Sequence, residues 1–137
     1  MTELNEKIYS VIAPNQLAVL STVSEDNKPL GRYMMTTGDE NLNLWCVTGL
    51  SSRKVKNIRN NPYVHVTVGF KAGEMAPWVH FSGKAEILTD KASREAHWDD
   101  MLKQYFKGPD DPEYCILKLV PERIEYWAGW TPEIWEK

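Results

Sequence analysis

Short runs in which apolar, β-branched and aromatic residues alternate with polar ones dominate this chain, and turn residues separate the runs. Residues 63–70 read YVHVTVGF, with Val64, Val66 and Val68 alternating against Tyr63, His65 and Thr67, the period of a half-buried strand. The same reasoning predicts strands over 17–24 (LAVLSTVS), 30–37 (LGRYMMTT), 42–48 (LNLWCVT), 77–88 (PWVHFSGKAEIL), 114–121 (YCILKLVP) and 123–130 (RIEYWAGW). EDNKP at 25–29 and KAGE at 71–74 read as turns, residues 38–41 close a hairpin, and Gly83 marks a bulge. Helical spacing first appears in 2–13, where Leu4, Ile8, Val11 and Ile12 follow Thr2 as a cap and Pro14-Asn15 ends the segment. Ser51 and Ser52 can cap a short second helix that Asn60-Asn61-Pro62 stops. Asp90 caps a third, long helix over 90–106, with Ala92, Ala96, Met101, Leu102 and Tyr105 as its apolar side.

Six or seven short strands joined mostly by tight turns, with two or three helices, indicate a mainly β chain: an antiparallel barrel with helices packed outside it. Strict strand–helix alternation is missing, so a parallel α/β sheet is not expected. At 137 residues, with no repeat or linker, one domain over 1–137 is expected, long enough to bury a core.

Composition narrows the partners. A net charge of −3 argues against general nucleic-acid or anionic-membrane binding. No apolar run nears the roughly 20 residues of a membrane span, and the N-terminus lacks the apolar stretch of a signal peptide, so a cytoplasmic protein is expected. Cys46 and Cys115 each sit inside an apolar run without metal spacing, and read as buried, reduced thiols.

Against that acidic background, Arg53, Lys54, Lys56 and Arg59 fall within seven residues with no acid among them. Arg53 and Lys54 occupy the first helical turn, where the helix dipole is already positive and disfavours cations. One reading makes all four a solvated helix face, and Lys56 and Arg59 fit it. The other gives Arg53 and Lys54 an anionic partner. With a four-residue hairpin loop Thr37 faces Leu42, and counting outward puts Arg32 opposite Val47, beside the start of the basic segment. Arginine, lysine, the hydroxyls of Thr48, Ser51 and Ser52, and a helix N-terminus then make a phosphate site. Trp78 and Trp127 stand where a barrel rim could hold a planar ring.

With these residues in place, the chain from about Leu17 to Trp130 resembles the pyridoxamine 5′-phosphate oxidase-like superfamily of FMN-binding split barrels, most closely its general-stress-protein branch. The resemblance rests on Arg32 opening RYMMTT, on Val47-Thr48, on Ser52-Arg53-Lys54, and on Asn61-Pro62 after the helix. It implies a six- to seven-stranded antiparallel split barrel whose phosphate site serves FMN, held by Arg32, Arg53 and Lys54 with help from Ser52. Tyr33, Met34, Met35, Val47 and Thr48 would approach the flavin ring and ribityl chain, and Trp78 and Trp127 would pack near it. It further implies a homodimer with flavin at the subunit interface. Related lineages bind the deazaflavin F420 or haem instead.

Where the oxidases carry Arg-Leu-His-Asp-Arg after that tryptophan, this chain has residues 131–135, Thr-Pro-Glu-Ile-Trp, which speaks against pyridoxamine phosphate oxidation while leaving FMN binding intact. The resemblance therefore implies a flavin-dependent oxidoreductase on a small substrate, with a non-catalytic FMN-binding or stress-response protein as the alternative. FMN itself carries hydrides and electrons, so the chain need supply no acid or base of its own. His65, His80 and His97 share no ligand spacing and read as structural; no metal site, triad, paired carboxylates or Gly-rich dinucleotide fingerprint is recognised.

Overall fold

The computed structural model describes residues 1–69, 71 and 73–137. Its elements run α1 (Glu3–Ile12), β1 (Gln16–Val23), β2 (Pro29–Gly38), β3 (Leu44–Gly49), α2 (Arg53–Asn60), β4 (Tyr63–Val68), β5 (Trp78–Leu88), α3 (Lys91–Ala96), a 3₁₀ turn (Asp100–Gln104), β6 (Tyr114–Trp127) and β7 (Glu133–Glu136). The expected strand over 63–70 ends at Val68. Its last residue, Phe70, and Ala72 of the expected turn lie outside the described residues.

The seven strands form one sheet in the order β3-β2-β1-β4-β5-β6-β7, and an added β3–β6 pairing closes β1 to β6 into a six-stranded barrel. Every ladder is antiparallel. Alternation does what period 2 requires: Leu20, Val66, Val79, Phe81, Leu117 and Ile124 point inward and are wholly or almost wholly buried. Burying each such side chain contributes about 1.5–3 kcal/mol against the cost of ordering it. The amphipathic α1 lays Ile8 and Ile12 on the same core, and Thr2 caps it by accepting from the Asn5 N–H at 3.1 Å. Cys46 and Cys115 are free and buried, and burial pushes their thiols up to about 12 and about 11.

Gly83 sits where the β5–β6 register shifts, so the expected bulge is there. It packs against the β6 backbone so closely that a Cβ would lie 2.0 Å from the Val120 carbonyl oxygen. The bulge lets β6 run through Pro121, which pairs with Gly83. The strands expected over 114–121 and 123–130 are therefore one, Tyr114–Trp127. A short strand that the alternation did not signal, β7, folds back on its end.

Two further expectations are corrected. Thr37 pairs with Trp45 rather than Leu42, because the hairpin loop is longer than four residues. The Asp39 carboxylate accepts from the Asn41 and Asn43 N–H groups at 2.8 and 3.0 Å. Leu42 is in the left-handed region at φ 65° with its side chain buried; core burial offsets the backbone strain. The long helix over 90–106 is also broken. Asp90 caps α3 as expected, but the helix stops at Ala96 and Asp99 caps the 3₁₀ turn by accepting from the Met101 N–H at 2.8 Å. The break turns His97 onto Trp45 and Trp98 onto Tyr114, ring centroids 4.5 and 5.4 Å apart.

Candidate functional site

The barrel is split on one side. β2 and β3 pair only at Thr37–Trp45 and Gly38–Leu44, then diverge, β2 continuing along β1 and β3 along β6. Beyond that point each strand has one edge of main-chain N–H and C=O groups with no strand across from it, which a ligand can use in a strand's place. A groove of about 1100 Å³ occupies the split. Both faces of the diverging strands reach it, so Met34, Cys46 and Thr48 from the inner side join Tyr33, Met35, Trp45 and Val47 from the outer side. Residues 97–106 supply a further wall.

Lys54 lines this groove from the first turn of α2 and donates to the Thr48 hydroxyl at 2.8 Å. Its pKa is pulled below the ordinary lysine value by burial and then by the charge of Arg32. Arg32 pairs with Leu20 of β1, not with Val47, because β2 and β3 have parted by that point. Burial, and then the charge of Arg53, lower the pKa of its guanidinium too. Arg53 is exposed and lines a smaller hollow of about 390 Å³ together with Lys56 and Asn57. Of the three expected cations, Lys54 lines the groove, Arg53 lines the smaller hollow, and Arg32 is tied to β1 by a route different from the hairpin register.

A buried hydroxyl makes that route. Thr22 accepts from Arg32 Nη1 at 2.9 Å and from Asn57 Nδ2 at 3.0 Å, while the Leu20 carbonyl accepts from Arg32 at 3.2 Å. β1, β2 and α2 are tied together at one oxygen. Losing it would leave the buried Asn57 amide without this partner, a cost of about 1–3 kcal/mol. Sequence reasoning missed both residues. The available signal was Asn57 itself, a polar residue between Val55 and Ile58 on the apolar face of a short helix.

Among the described residues, none of Arg32, Arg53 and Lys54 has a carboxylate within ion-pair distance, whereas Lys56 pairs with Glu25 at 3.3 Å. That contrast separates Lys56 from the others but not Arg59, which also has no carboxylate within ion-pair distance among the described residues. Ser52 caps α2, its hydroxyl accepting from the Val55 N–H at 3.4 Å. Ser51 is turned elsewhere: its N–H donates to the Glu113 carboxylate at 3.0 Å and its hydroxyl donates to the same group. It does not join the cations.

Trp78 and Trp127 do not line the groove. They are a cross-strand pair on the outer face of β5 and β6, stacked within 4° of parallel at 5.9 Å. Trp78 Nε1 donates to His80 at 3.4 Å and Trp127 Nε1 donates to Glu125 at 3.0 Å. His65 packs beside His80 at 5.3 Å, and burial, then His80, lowers its pKa. The outer face of β1 and β2 continues this surface with Leu17 opposite Met35 and Val19 opposite Tyr33. Leu17, Tyr33 and Met35 are 56%, 72% and 49% exposed, large for apolar side chains in mid-strand.

A family model described as pyridoxamine 5′-phosphate oxidase matches residues 4–128. General stress protein 26 of Bacillus subtilis is 32% identical over 123 residues, spanning 89% of this chain and 86% of that protein. The crystal structure of General Stress Protein 26 from Bacillus anthracis superposes with a TM-score of 0.86 at 33% identity, covering 99% of this chain and all of the other. A Clostridium acetobutylicum protein described as related to general stress protein 26 gives a TM-score of 0.75 at 26% identity, covering 98% and 92% of the two chains.

Proposed function

The chain belongs to the pyridoxamine 5′-phosphate oxidase family, and on that premise we propose that it binds FMN in the split between β2 and β3 and acts as a flavin-dependent oxidoreductase on a small molecule. The observation that carries this reading is Lys54, which lines a groove edged by open strands and has no carboxylate partner among the described residues, with Arg32 of β2 and Arg53 of α2 likewise unpaired in the adjoining elements. A phosphate dianion supplies the charge they lack, and charge-assisted bonds are about twice as strong as neutral ones. Arg32, Arg53 and Lys54 would hold the phosphate, with the α2 N-terminus at Ser52 assisting. The main chain of Tyr33, Met34 and Met35, with Val47 and Thr48, would hold the ring and ribityl chain. Bound FMN supplies hydride and electron transfer, and the protein's contribution is to position it and limit solvent access.

A second copy of this chain completes the arrangement. Leu17, Tyr33 and Met35 form an exposed apolar row on the same outer face as Trp78 and Trp127, and aromatic residues and methionine are enriched in interface cores. In a homodimer joined through this face, the tryptophan pair of one subunit would lie towards the flavin of the other. Light scattering on the flavin-loaded protein should report two chains per particle; a fully loaded monomer would remove the interface. No helix among the described residues is long and apolar enough to cross a membrane, and two free, buried thiols suit a reducing compartment such as the cytoplasm.

Denaturing the purified protein should release FMN, identified by chromatography and its absorption. Release of F420 or haem would overturn the cofactor assignment. Anaerobic mixing with NADH or NADPH should then bleach the bound flavin, and an added acceptor should restore its colour repeatedly. A flavin that stays oxidised with every donor would leave a binding protein rather than an oxidoreductase.

A further inference from the structure

His97 carries chemistry that its expected structural role does not use. It follows the last residue of α3, where the break in the 91–104 segment turns its ring flat against Trp45, 4.5 Å between centroids and 25° between planes. Trp45 is itself fixed, because its Nε1 donates to Asp39 at 2.7 Å. The imidazole is half-buried and lines the β2–β3 groove. Among the described residues neither ring nitrogen has a hydrogen-bond partner within the protein. Burial lowers its pKa, so at neutral pH it offers one N–H and one lone pair.

The charges around it are one-sided. Asp39 and Asp99 line the groove on this side, and Lys54 is the one cation among its described lining residues, at the end proposed for the phosphate. Burial opposes the charge on Asp39, yet hydrogen bonds from Trp45, Asn43 and Asn41 hold its pKa below the usual value. Lys118 approaches the ring of Trp45, 5.6 Å from its centroid, but does not line the groove. Met34, Met35, Leu102, Tyr105 and Phe106 supply apolar and flat surface.

We propose that His97 is the residue through which this groove contacts the second reactant, and that the part of the reactant held at this end is an uncharged or cationic ring with a hydrogen-bonding edge rather than a phosphate group. The proposal rests on the reading that FMN occupies the split. Stacking on Trp45 fixes the imidazole plane, so the nitrogens are presented at a set angle with little rotamer entropy left to lose on binding. The acidic groups favour a cationic ring and repel a second phosphate.

The test uses FMN-loaded protein and two probes that share a cationic ring and carboxamide, nicotinamide riboside and nicotinamide mononucleotide. Perturbation of the flavin absorption on titration reads binding. The riboside should bind, the added phosphate should bring no gain, and His97→Ala should weaken the riboside roughly three- to tenfold, one hydrogen bond's worth. His97→Gln, which keeps a donor and an acceptor, should recover part of the loss. A riboside affinity unchanged in His97→Ala, a mononucleotide that binds tenfold tighter, or no binding of either probe at millimolar concentration overturns the proposal. Flavin fluorescence is read first, because failure of wild-type protein to take up FMN sinks the functional reading itself. Loss of FMN from His97→Ala alone transfers the comparison to His97→Gln, for which an unchanged riboside affinity and pH profile would count against the role.

Discussion

Replacing Arg53 and Lys54 together by alanine is expected to weaken FMN binding about a hundredfold while leaving riboflavin within roughly threefold. The two ligands share the ring and ribityl chain and differ by the phosphate. A charge-assisted hydrogen bond contributes about 1.5–3 kcal/mol, and the exposed Arg53 is counted at the low end because solvent screens it. Together the two side chains then amount to about 3 kcal/mol, and each 1.4 kcal/mol is tenfold in affinity. Removing the pair also relieves Arg32 of a like charge, so the fold itself should not suffer. Isothermal titration of both ligands against both proteins reads the outcome. Equal losses for FMN and riboflavin would mean that these cations do not face the phosphate.

The second large effect is on stability. Gly83→Ala should lower the unfolding free energy by more than about 4 kcal/mol, the range reserved for backbone and core disruption. The added methyl carbon would sit 2.0 Å from the Val120 carbonyl oxygen, 2.9 Å from its carbonyl carbon and 3.1 Å from the Pro121 Cα. All three are backbone atoms of β6, so no side-chain rotation relieves the clash. Either the bulge opens or the β5–β6 ladder, which spans the barrel, shifts as a whole. Urea denaturation checks this. A variant within about 1 kcal/mol of wild type, smaller than an ordinary core substitution, would mean that the two strands do not pack as described.

Much of this was legible in the chain because it depends on local patterning. Period-2 alternation marks Val64, Val66 and Val68 whatever the strand pairs with, and Thr2, Ser52 and Asp90 cap helices through bonds spanning three residues. The basic first turn of α2 is local too, which is why Arg53 and Lys54 could be singled out. What failed depends on partners far along the chain. Leu42 looks like a strand residue, but the Asp39 loop holds it in the left-handed region and burial in a core built by other strands keeps it there. That loop moves the register by three residues, so Arg32 owes its place to Thr22 and Asn57 instead of to Val47. Pro121 reads as a strand end until Gly83, 38 residues earlier, is seen to accommodate it. The apolar side of 90–106 suggested one helix, yet stacking of His97 and Trp98 on the sheet outweighs the helical bonds lost at the break. Trp78 and Trp127 were placed near the ring by resemblance, and their outward stacking makes that role depend on a second subunit.

The account depends on one geometric statement, that the side chains of Arg32, Arg53 and Lys54 gather around a single phosphate at the end of the β2–β3 split. A crystal structure of the protein grown with FMN measures this directly. The phosphorus atom should lie within reach of hydrogen bonds from all three side chains, with the ring along the strand edges of Tyr33–Met35 and Val47–Thr48. A flavin bound elsewhere, or one in the split with its phosphate turned to solvent away from these residues, would contradict it.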